Sequence, residues 1–240
     1  ITIDGTLTAL SGNGAPLPKL LLHNGAGIAV NATGQVVAPG GLMVDTLAGS
    51  WTAGQPLVNQ GTIDGGTRLD LRASKISGGG AFKGNIVNIN TFGNVNNPVN
   101  GAFFLSNSLQ VYPSSGDTTQ LTLNGYGAAP QVLNVRINGN GTVAMPSVWE
   151  PGNLSPPNNA VVGLAASRPP GQPDPAYGGG SMIVQATGSL TIASSAAHDF
   201  VFPGGIVFKA GTTLDMRGVL INNGWTTTGK SFQGVFLEAP

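Results

Sequence analysis

Gly66-Thr67-Arg68-Leu69-Asp70-Leu71-Arg72 decides the fold of this chain, and it recurs as Gly211-Thr212-Thr213-Leu214-Asp215-Met216-Arg217. Five of the seven positions are identical in the two copies. After the glycine, apolar and polar residues alternate, and a period of two is typical of a half-buried β-strand. Each copy is followed by a second short apolar piece and a glycine turn, at residues 75–78 and 218–224. A strand, a tight turn and a strand, restated along the chain, predict a stack of similar β-coils.

The rest of the chain follows the same pattern. Strands of about three to five residues, separated by Gly or Asn turns, fit β-helix coils better than a sandwich, whose strands are usually longer. The alternation of residues 1–10 predicts an N-terminal strand that caps the stack or reaches into a neighbouring subunit. Asparagines beside the short strands are expected to take left-handed turn positions and to stack as amide ladders between coils.

Residues 145–180 interrupt the pattern. They hold eight of the chain's 17 prolines, and proline cannot donate a hydrogen bond to a β-ladder. Because the composition is alike on both sides, we interpret this stretch as a Pro-rich loop within one continuous domain, residues 1–240. Two stacked sub-domains are the alternative.

The composition points to self-association. Charged residues are 8% of the chain, against a usual ~25%, and ten Lys and Arg balance ten Asp and Glu. We therefore expect neither nucleic acid nor an anionic membrane as a partner, whereas low net charge favours association between copies. No apolar run reaches ~18 residues, so no membrane-spanning helix is expected. Cysteine is absent, which suits an exported bacterial protein, and the start at Ile1 is interpreted as a processed or trimmed form.

Acidic residues are the first candidates for catalysis. A glycosidase needs two carboxylates about 5–10 Å apart, and Asp64 and Asp70 are the closest useful pair. The competing interpretation, which we favour, is a turn aspartate and a solvated strand aspartate. Asp70 with Arg72, and Asp215 with Arg217, are predicted to be exposed ion pairs worth under ~1 kcal/mol each. If both copies lie on one sheet, these pairs would form a short charged ladder.

Other chemistries have weaker signals. The turn before Asp70 resembles a calcium-binding Gly-Gly-x-Gly-x-Asp turn, but Arg68 stands where glycine is needed. His23 and His198 have no ligand companions close in sequence; a catalytic His198-Asp199 pair would need a serine such as Ser194 or Ser195, without a nucleophile-elbow pattern. The glycine runs lack the Lys-Ser/Thr of a phosphate-binding loop. We therefore predict no catalytic residue, no metal site and no cofactor.

Aromatic side chains offer possible contact surfaces for sugars or for a protein partner. They are Trp51, Trp149, Trp225, Tyr112, Tyr126 and Tyr177. Trp149 and Tyr177 flank the Pro-rich stretch, where an exposed ring could dock on a partner. Packing of these rings onto the coils is the alternative.

Several stretches together resemble the filamentous haemagglutinin-like β-helix adhesins of bacteria. These are Asn59-Gln60-Gly61-Thr62-Ile63-Asp64-Gly65-Gly66, Leu69-Asp70-Leu71, Ile76-Ser77-Gly78-Gly79-Gly80, Gly188-Ser189-Leu190-Thr191-Ile192 and Gly211-Thr212-Thr213-Leu214-Asp215. The resemblance covers about half of the chain. It implies a right-handed parallel β-helix, export, and a role in surface adhesion or in a fibre.

The sequence therefore predicts an all-β chain, folded as a right-handed parallel β-helix (β-solenoid) with a Pro-rich loop insertion. We expect a structural subunit of an extracellular bacterial filament or cell-surface adhesin, with copies of itself as the main partner and a host or surface carbohydrate as a further candidate. The residues predicted to make subunit contacts are Ile1, Ile3, Leu7, Trp149 and Tyr177. The alternatives are a carbohydrate-active β-helix enzyme, such as a polysaccharide depolymerase, and a carbohydrate-binding adhesin tip.

Overall fold

The computed structural model describes residues 1–11, 13–46, 55–91, 108–125, 132–144, 181–193, 198–199, 206–216, 221–222 and 235–240. The Pro-rich stretch 145–180 lies outside the described residues. Within the described ranges there are strands and turns but no helix. Every pairing between these strands is parallel. The predicted all-β class is confirmed.

Three parallel sheets run along the molecule. The first sheet consists of β1 (Thr2–Ile3), β4 (Ile28–Val30), β7 (Leu57–Asn59) and β10 (Ile76–Ser77). The second sheet consists of β2 (Thr6–Thr8), β5 (Gln35–Val37), β8 (Thr62–Asp64), β11 (Ala81–Lys83), β13 (Leu109–Tyr112), β15 (Val132–Ile137), β17 (Ser181–Ala186), β20 (Ile206–Ala210) and β23 (Val235–Glu238). The third sheet consists of β3 (Leu20–His23), β6 (Leu42–Asp45), β9 (Arg68–Ala73), β12 (Ile86–Thr91), β14 (Thr118–Gly125), β16 (Asn140–Ala144), β18 (Leu190–Ala193) and β21 (Leu214–Asp215). A separate pair is formed by β19 (His198–Asp199) and β22 (Ile221–Asn222).

The chain visits the sheets in a fixed order and then begins the next coil. Strands β1, β2 and β3 form the first coil, and β4, β5 and β6 pair with them in parallel, one on each sheet. The pair β19 and β22 takes the first-sheet place in later coils, because each of these strands follows a third-sheet strand and precedes a second-sheet strand. Sheets that each gain one strand per coil are the architecture of a parallel β-solenoid. The right-handed sense of the coil stays a prediction.

The core consists of columns of aliphatic side chains that point inward from successive coils. In the second sheet, one column joins Val36, Ile63, Phe82, Val111 and Ile137, and all five side chains are fully buried. Side chains alternate across a strand, so the residues between these positions point outward. Each fully buried Val, Ile or Phe contributes about 1.5–3 kcal/mol relative to an exposed one. The stacked columns therefore supply the main stabilisation between coils.

Both copies of the repeated heptapeptide enter the third sheet, as β9 and β21. Leu69 and Leu71 are fully buried, as the alternation predicts. The copies are nevertheless out of register by two residues. Across the third sheet, Leu69 pairs in register with Val87, and Val87 pairs with Leu121. Leu214 pairs with Leu190, Leu190 with Gly141, and Gly141 with Thr119, which lies two residues before Leu121. Both copies therefore lie in the third sheet, but equivalent residues of the two copies do not belong to the same column of the core.

Glycines at the corners between sheets allow the coils to stack closely. A Cβ on Gly61 would lie 2.1 Å from the carbonyl oxygen of Gly34 in the preceding coil, and one on Gly80 would lie 2.4 Å from the oxygen of Gly61. Backbone hydrogen bonds run through the same corner, since Thr62 N donates to Gly34 O at 3.0 Å and Ala81 N to Gly61 O at 2.8 Å. A side chain at these corners would therefore force neighbouring coils apart.

One predicted element was wrong. Residues 1–10 are not one strand: a corner at Asp4 and Gly5 divides them into β1 and β2, which lie on different sheets. The first coil stacks on the second, so the chain turns at the same place as the corner of the second coil. Asn140 begins β16, where backbone pairing with β14 and β18 outweighs the turn preference of Asn and Gly.

Asparagines join neighbouring coils through hydrogen bonds to backbone groups, and their stacking as amide ladders stays a prediction. Asn59 donates from Nδ2 to Ala81 O at 3.0 Å and accepts at Oδ1 from Gly61 N at 3.1 Å. Asn140 accepts from Ser189 N at 2.9 Å on the next coil. In these coils the amides complete backbone bonds at corners, while glycines such as Gly66 and Gly139 hold left-handed positions.

Gly66 opens the repeated stretch and tests how strictly the corners exclude a side chain. Its φ is 59°, and a Cβ there would lie 2.1 Å from Pro39 O. Gly116 has a φ of 69° with open space around it, so it isolates the left-handed backbone cost of about 1–2 kcal/mol. We expect Gly66→Ala to lower the free energy of unfolding by that amount plus about 1–3 kcal/mol for overpacking. Urea unfolding of Gly66→Ala and Gly116→Ala measures how much free energy of unfolding each variant loses. Equal losses would contradict the close approach between Gly66 and Pro39 O.

Candidate subunit-joining surfaces

The exposed apolar side chains of the described residues lie at the two ends of the solenoid. Five of them belong to the first coil, and we call Ile1, Leu7, Leu10, Leu17 and Leu21 the first-coil surface. The other two, Phe236 and Leu237 in β23, form the last-strand surface. Between residues 22 and 235, none of the large hydrophobic residues whose side-chain burial the structure describes has this degree of exposure.

Leu7 is an exposed member of an inward column and lies in β2, an edge strand of the second sheet. It pairs in register with Val36, which is fully buried, and it stands in the same inward column as Ile63 and Phe82. Its own side chain is 40% exposed. Ile1 is 49% exposed, while Ile3 is partly buried and packs against the core. The first coil therefore presents core-type residues to solvent.

Leu237 repeats this situation at the other end of the second sheet. It pairs in register with Phe208, which is fully buried and continues an inward column through Val184 and Val135. Leu237 itself is 56% exposed. Strands β2 and β23 are the two edge strands of this sheet. Both edges thus combine unpaired backbone groups with exposed leucine.

A cluster of charged and polar side chains surrounds Asp70 on the outward side of the third sheet. Arg68 donates from Nε to both carboxylate oxygens at 2.9 and 3.0 Å, Lys19 donates from Nζ at 3.1 Å, and Asn88 donates from Nδ2 at 2.7 Å. Asp70 is only 7% exposed. Burial raises the pKa of the Asp70 carboxyl, but the bonds from Asn88, Arg68 and Lys19 and the charge of Arg68 outweigh it, so this pKa is lowered.

The predicted exposed pair of Asp70 and Arg72 was wrong. Asp70 is nearly buried and pairs with Arg68 and Lys19. Arg72 Nη1 instead lies 3.6 Å from Asp45 Oδ2. Asp45 also lies 3.6 Å from His23, its register partner on the other side. Neighbouring strands are about 4.8 Å apart, which is closer than two residues along one strand. Cross-strand pairing therefore decides the partner of Arg72. Arg217 lies outside the described residues, so the pair with Asp215 stays a prediction.

The two carboxylates considered for glycoside cleavage have structural partners. Asp64 accepts at Oδ1 from Gly66 N at 2.9 Å and from Ser114 Oγ at 2.7 Å, which agrees with its predicted place in a turn. It lies on the second sheet, whereas Asp70 lies on the third. The carboxylate of Asp70 forms ion pairs with the side chains of Lys19 and Arg68. Arg68 belongs to the turn that was compared above with calcium-binding turns.

The remaining predicted residues divide into described and undescribed ones. Ile1, Ile3 and Leu7 come together in the first coil, while Trp149 and Tyr177 lie outside the described residues. So do Trp51, Trp225, Tyr126, Ser194 and Ser195. In the described ranges, no three His, Asp or Glu side chains gather as they would around a metal ion. Among the same residues, no helix has the length and hydrophobicity of a membrane span.

Sequence reasoning missed Phe236 and Leu237 as candidate contact residues. The stretch from residue 232 to residue 237 is recognisable as a strand-forming piece, but its exposure depends on the place of β23 at the edge of the second sheet. It also missed Lys19, which reaches Asp70 from 51 positions away in the chain.

Comparison with known proteins found no match: no family model, no curated protein and no solved structure corresponds to this chain.

The lowered pKa of Asp70 predicts a pH-dependent contribution to stability. A carboxyl whose folded pKa lies below its unfolded value stabilises the fold above the unfolded pKa, and this contribution is lost as pH falls through the folded pKa. We expect Asp70→Asn to lower the free energy of unfolding by about 1–3 kcal/mol at pH 7. The difference from wild type should shrink as the pH approaches 3.

Asp117→Asn is the matched control, because the exposed Asp117 accepts bonds from the neutral groups of Thr118 and Asn140. Urea unfolding at several pH values gives the comparison. A constant Asp70→Asn effect from pH 7 to pH 3 would contradict the electrostatic explanation.

Proposed function

We propose that this chain is a structural subunit of an extracellular bacterial filament or surface adhesin, and that copies join through the ends of their solenoids. One observation carries the proposal: the large hydrophobic side chains that are exposed among the described residues all belong to the first-coil surface or the last-strand surface. Exposed apolar groups collected at specific places are typical of protein–protein contacts.

Hydrophobic burial supports joining at these ends. Leu7 and Leu237 occupy columns whose other members are fully buried. Covering such a side chain completely is worth about 1.5–3 kcal/mol. Several of them would together favour association, in addition to the backbone hydrogen bonds that an open strand edge can form.

The outward sides of the coils support assembly in a different way. The net charge of the chain is zero, with ten basic and ten acidic residues, so copies do not repel one another over long distances. Several of the charges are paired within the subunit, as in the Asp70 cluster and in the ion pair of Lys209 with Glu238. Long-range repulsion therefore offers no obstacle to a filament.

The test replaces two residues of the first-coil surface: Leu7, which belongs to an inward column, and Leu21, which points outward. Leu7→Asp puts a charge on the open end, and we expect it to raise the concentration for half-assembly by about 10-fold to 150-fold, the equivalent of the burial energy of one leucine. Leu21→Asp is the control, since Leu21 is 59% exposed but points outward between the inward-facing Leu20 and Leu22. Size-exclusion chromatography with light scattering and negative-stain microscopy measure assembly.

Wild-type protein that stays monomeric at every concentration would overturn the proposal, and so would equal assembly of the Leu7→Asp variant. The same preparations, incubated with bacterial and plant polysaccharides, distinguish the enzyme alternative, because new reducing ends would indicate cleavage.

A further inference from the structure

Arg136 and Gln185 lie side by side on the outward side of the second sheet, in β15 and β17. Each directly follows a fully buried core residue, Val135 or Val184, so its own side chain points away from the core. Arg136 Nε and Gln185 Oε1 are buried, yet neither atom has a hydrogen-bond partner in the part of the chain that the structure describes. Ile183, which also points outward, is 1% exposed, so the two atoms lie in a recess of this side. Buried polar atoms nearly always have partners, which indicates that a ligand group belongs here.

The neighbouring strand β13 adds an amide and an aromatic ring. Gln110 is the register partner of Arg136, and its Oε1 accepts from Asn138 Nδ2 at 3.1 Å, which holds the amide in place. Tyr112 lies two residues further along β13 on the same outward side and is partly exposed. Tyr and Arg are the residue types enriched at binding surfaces, and a tyrosine ring offers an apolar face beside a polar hydroxyl.

The charge of this side is positive because two of its cations have no carboxylate partner. Arg136 forms no ion pair with a described residue, and neither does Lys83, the register partner of Tyr112. Asp64 is the register neighbour of Lys83 on β8, but its carboxylate takes its hydrogen bonds from a turn amide and from Ser114. We call Lys83, Gln110, Tyr112, Arg136 and Gln185 the outer-sheet surface.

The two cations are set along the direction in which the coils stack. Lys83 lies on β11 and Arg136 on β15, with β13 between them. Two strand spacings amount to about 10 Å. A ligand that reaches both cations is therefore elongated, follows the solenoid axis and carries more than one negative group.

We propose that the outer-sheet surface binds an acidic polysaccharide, a chain of sugars that carry carboxylates. One sugar carboxylate accepts from the guanidinium of Arg136, including Nε, in the planar geometry that favours this pair, and a hydroxyl of the same chain donates to Gln185 Oε1. The ring of Tyr112 packs against a sugar, and a second carboxylate lies near Lys83. A neutral polysaccharide would leave the charge of Arg136 without a partner. This ligand lies on the side of the solenoid, so the site is independent of the proposed joining of copies.

The first experiment titrates the whole chain with alginate oligosaccharides, which consist of uronic acids, by isothermal titration calorimetry. Dextran serves as the neutral polysaccharide and a single-stranded DNA oligonucleotide as a polyanion without sugar carboxylates. We expect alginate to bind and dextran not to bind. Affinity for alginate should fall as sodium chloride is added, because salt screens the attraction between exposed charges.

The second experiment compares two variants that remove the same charge at different places. Arg136→Gln removes it from the outer-sheet surface, whereas Lys75→Gln removes it between β9 and β10, where Lys75 also forms no ion pair with a described residue. We expect Arg136→Gln to raise the Kd for alginate about tenfold or more, since a charge-assisted contact is lost. Lys75→Gln should bind like the wild type. Thermal unfolding checks that both variants fold, and Lys83→Gln replaces Arg136→Gln if that variant does not.

Each outcome bears on the site alone. Wild-type protein that does not bind alginate overturns the proposal, as does binding of dextran or of the DNA oligonucleotide with the affinity of alginate. Equal weakening by Arg136→Gln and Lys75→Gln would mean that only the overall charge matters, and it would overturn the assignment to this surface. Assembly of the wild type, measured separately, decides the proposed function, because the outer-sheet surface shares no residue with the first-coil surface or the last-strand surface.

Discussion

The structure depends on one close approach, in which the carbonyl oxygen of one coil lies against the bare α-carbon of the next. Gly61 beneath Gly34 O and Gly80 beneath Gly61 O show the contact in successive coils. Parallel strands must stay about 4.8 Å apart to keep their hydrogen bonds, and a corner cannot be wider than the sheets that it joins. A side chain between corners would open the backbone pairing on both adjoining sheets. The glycines at these corners are therefore a consequence of the repeat distance.

Once the corners fix the spacing, the character of each face follows from side-chain alternation. Inward residues form apolar columns in which side chains of different sizes follow one another from coil to coil, as Val36, Ile63 and Phe82 do. Outward residues meet their neighbours across strands, and this contact selects complementary pairs. Asp45 between His23 and Arg72 is one such row. Asp45 and Asp70 of the second and third coils are thereby paired with side chains of neighbouring strands or of the first coil.

Much of this architecture could be predicted from the sequence because it is local. The alternation of Leu69 and Leu71 with polar residues depends on the strand alone, and the stretches that became β13 and β15 are recognisable from their apolar pattern. The features that could not be predicted depend on register. The two-residue offset between the copies of the repeat, the approach of Lys19 to Asp70 and the corner at Gly5 all depend on which residue of another coil lies opposite. Exposure of Leu7 and Leu237 depends on strand order, which no local pattern contains.

A solenoid differs from a closed barrel because its last coil always has edge strands with unpaired backbone groups and an uncovered apolar column. Each added coil covers the column beneath it and presents a new open column, so an end must be capped by polar residues or covered by another molecule. Among the described residues, Leu7 is 40% exposed at the edge of the second sheet, and the Cβ position of Gly5 lies in open space. Solubility alone would favour a charged residue at both positions, as edge strands commonly carry. Leucine and glycine at this edge are the residues that a further coil requires, one for the core column and one for the corner. Gly34, Gly61 and Gly80 meet the corner requirement in the second, third and fourth coils, where each lies against the coil that precedes it.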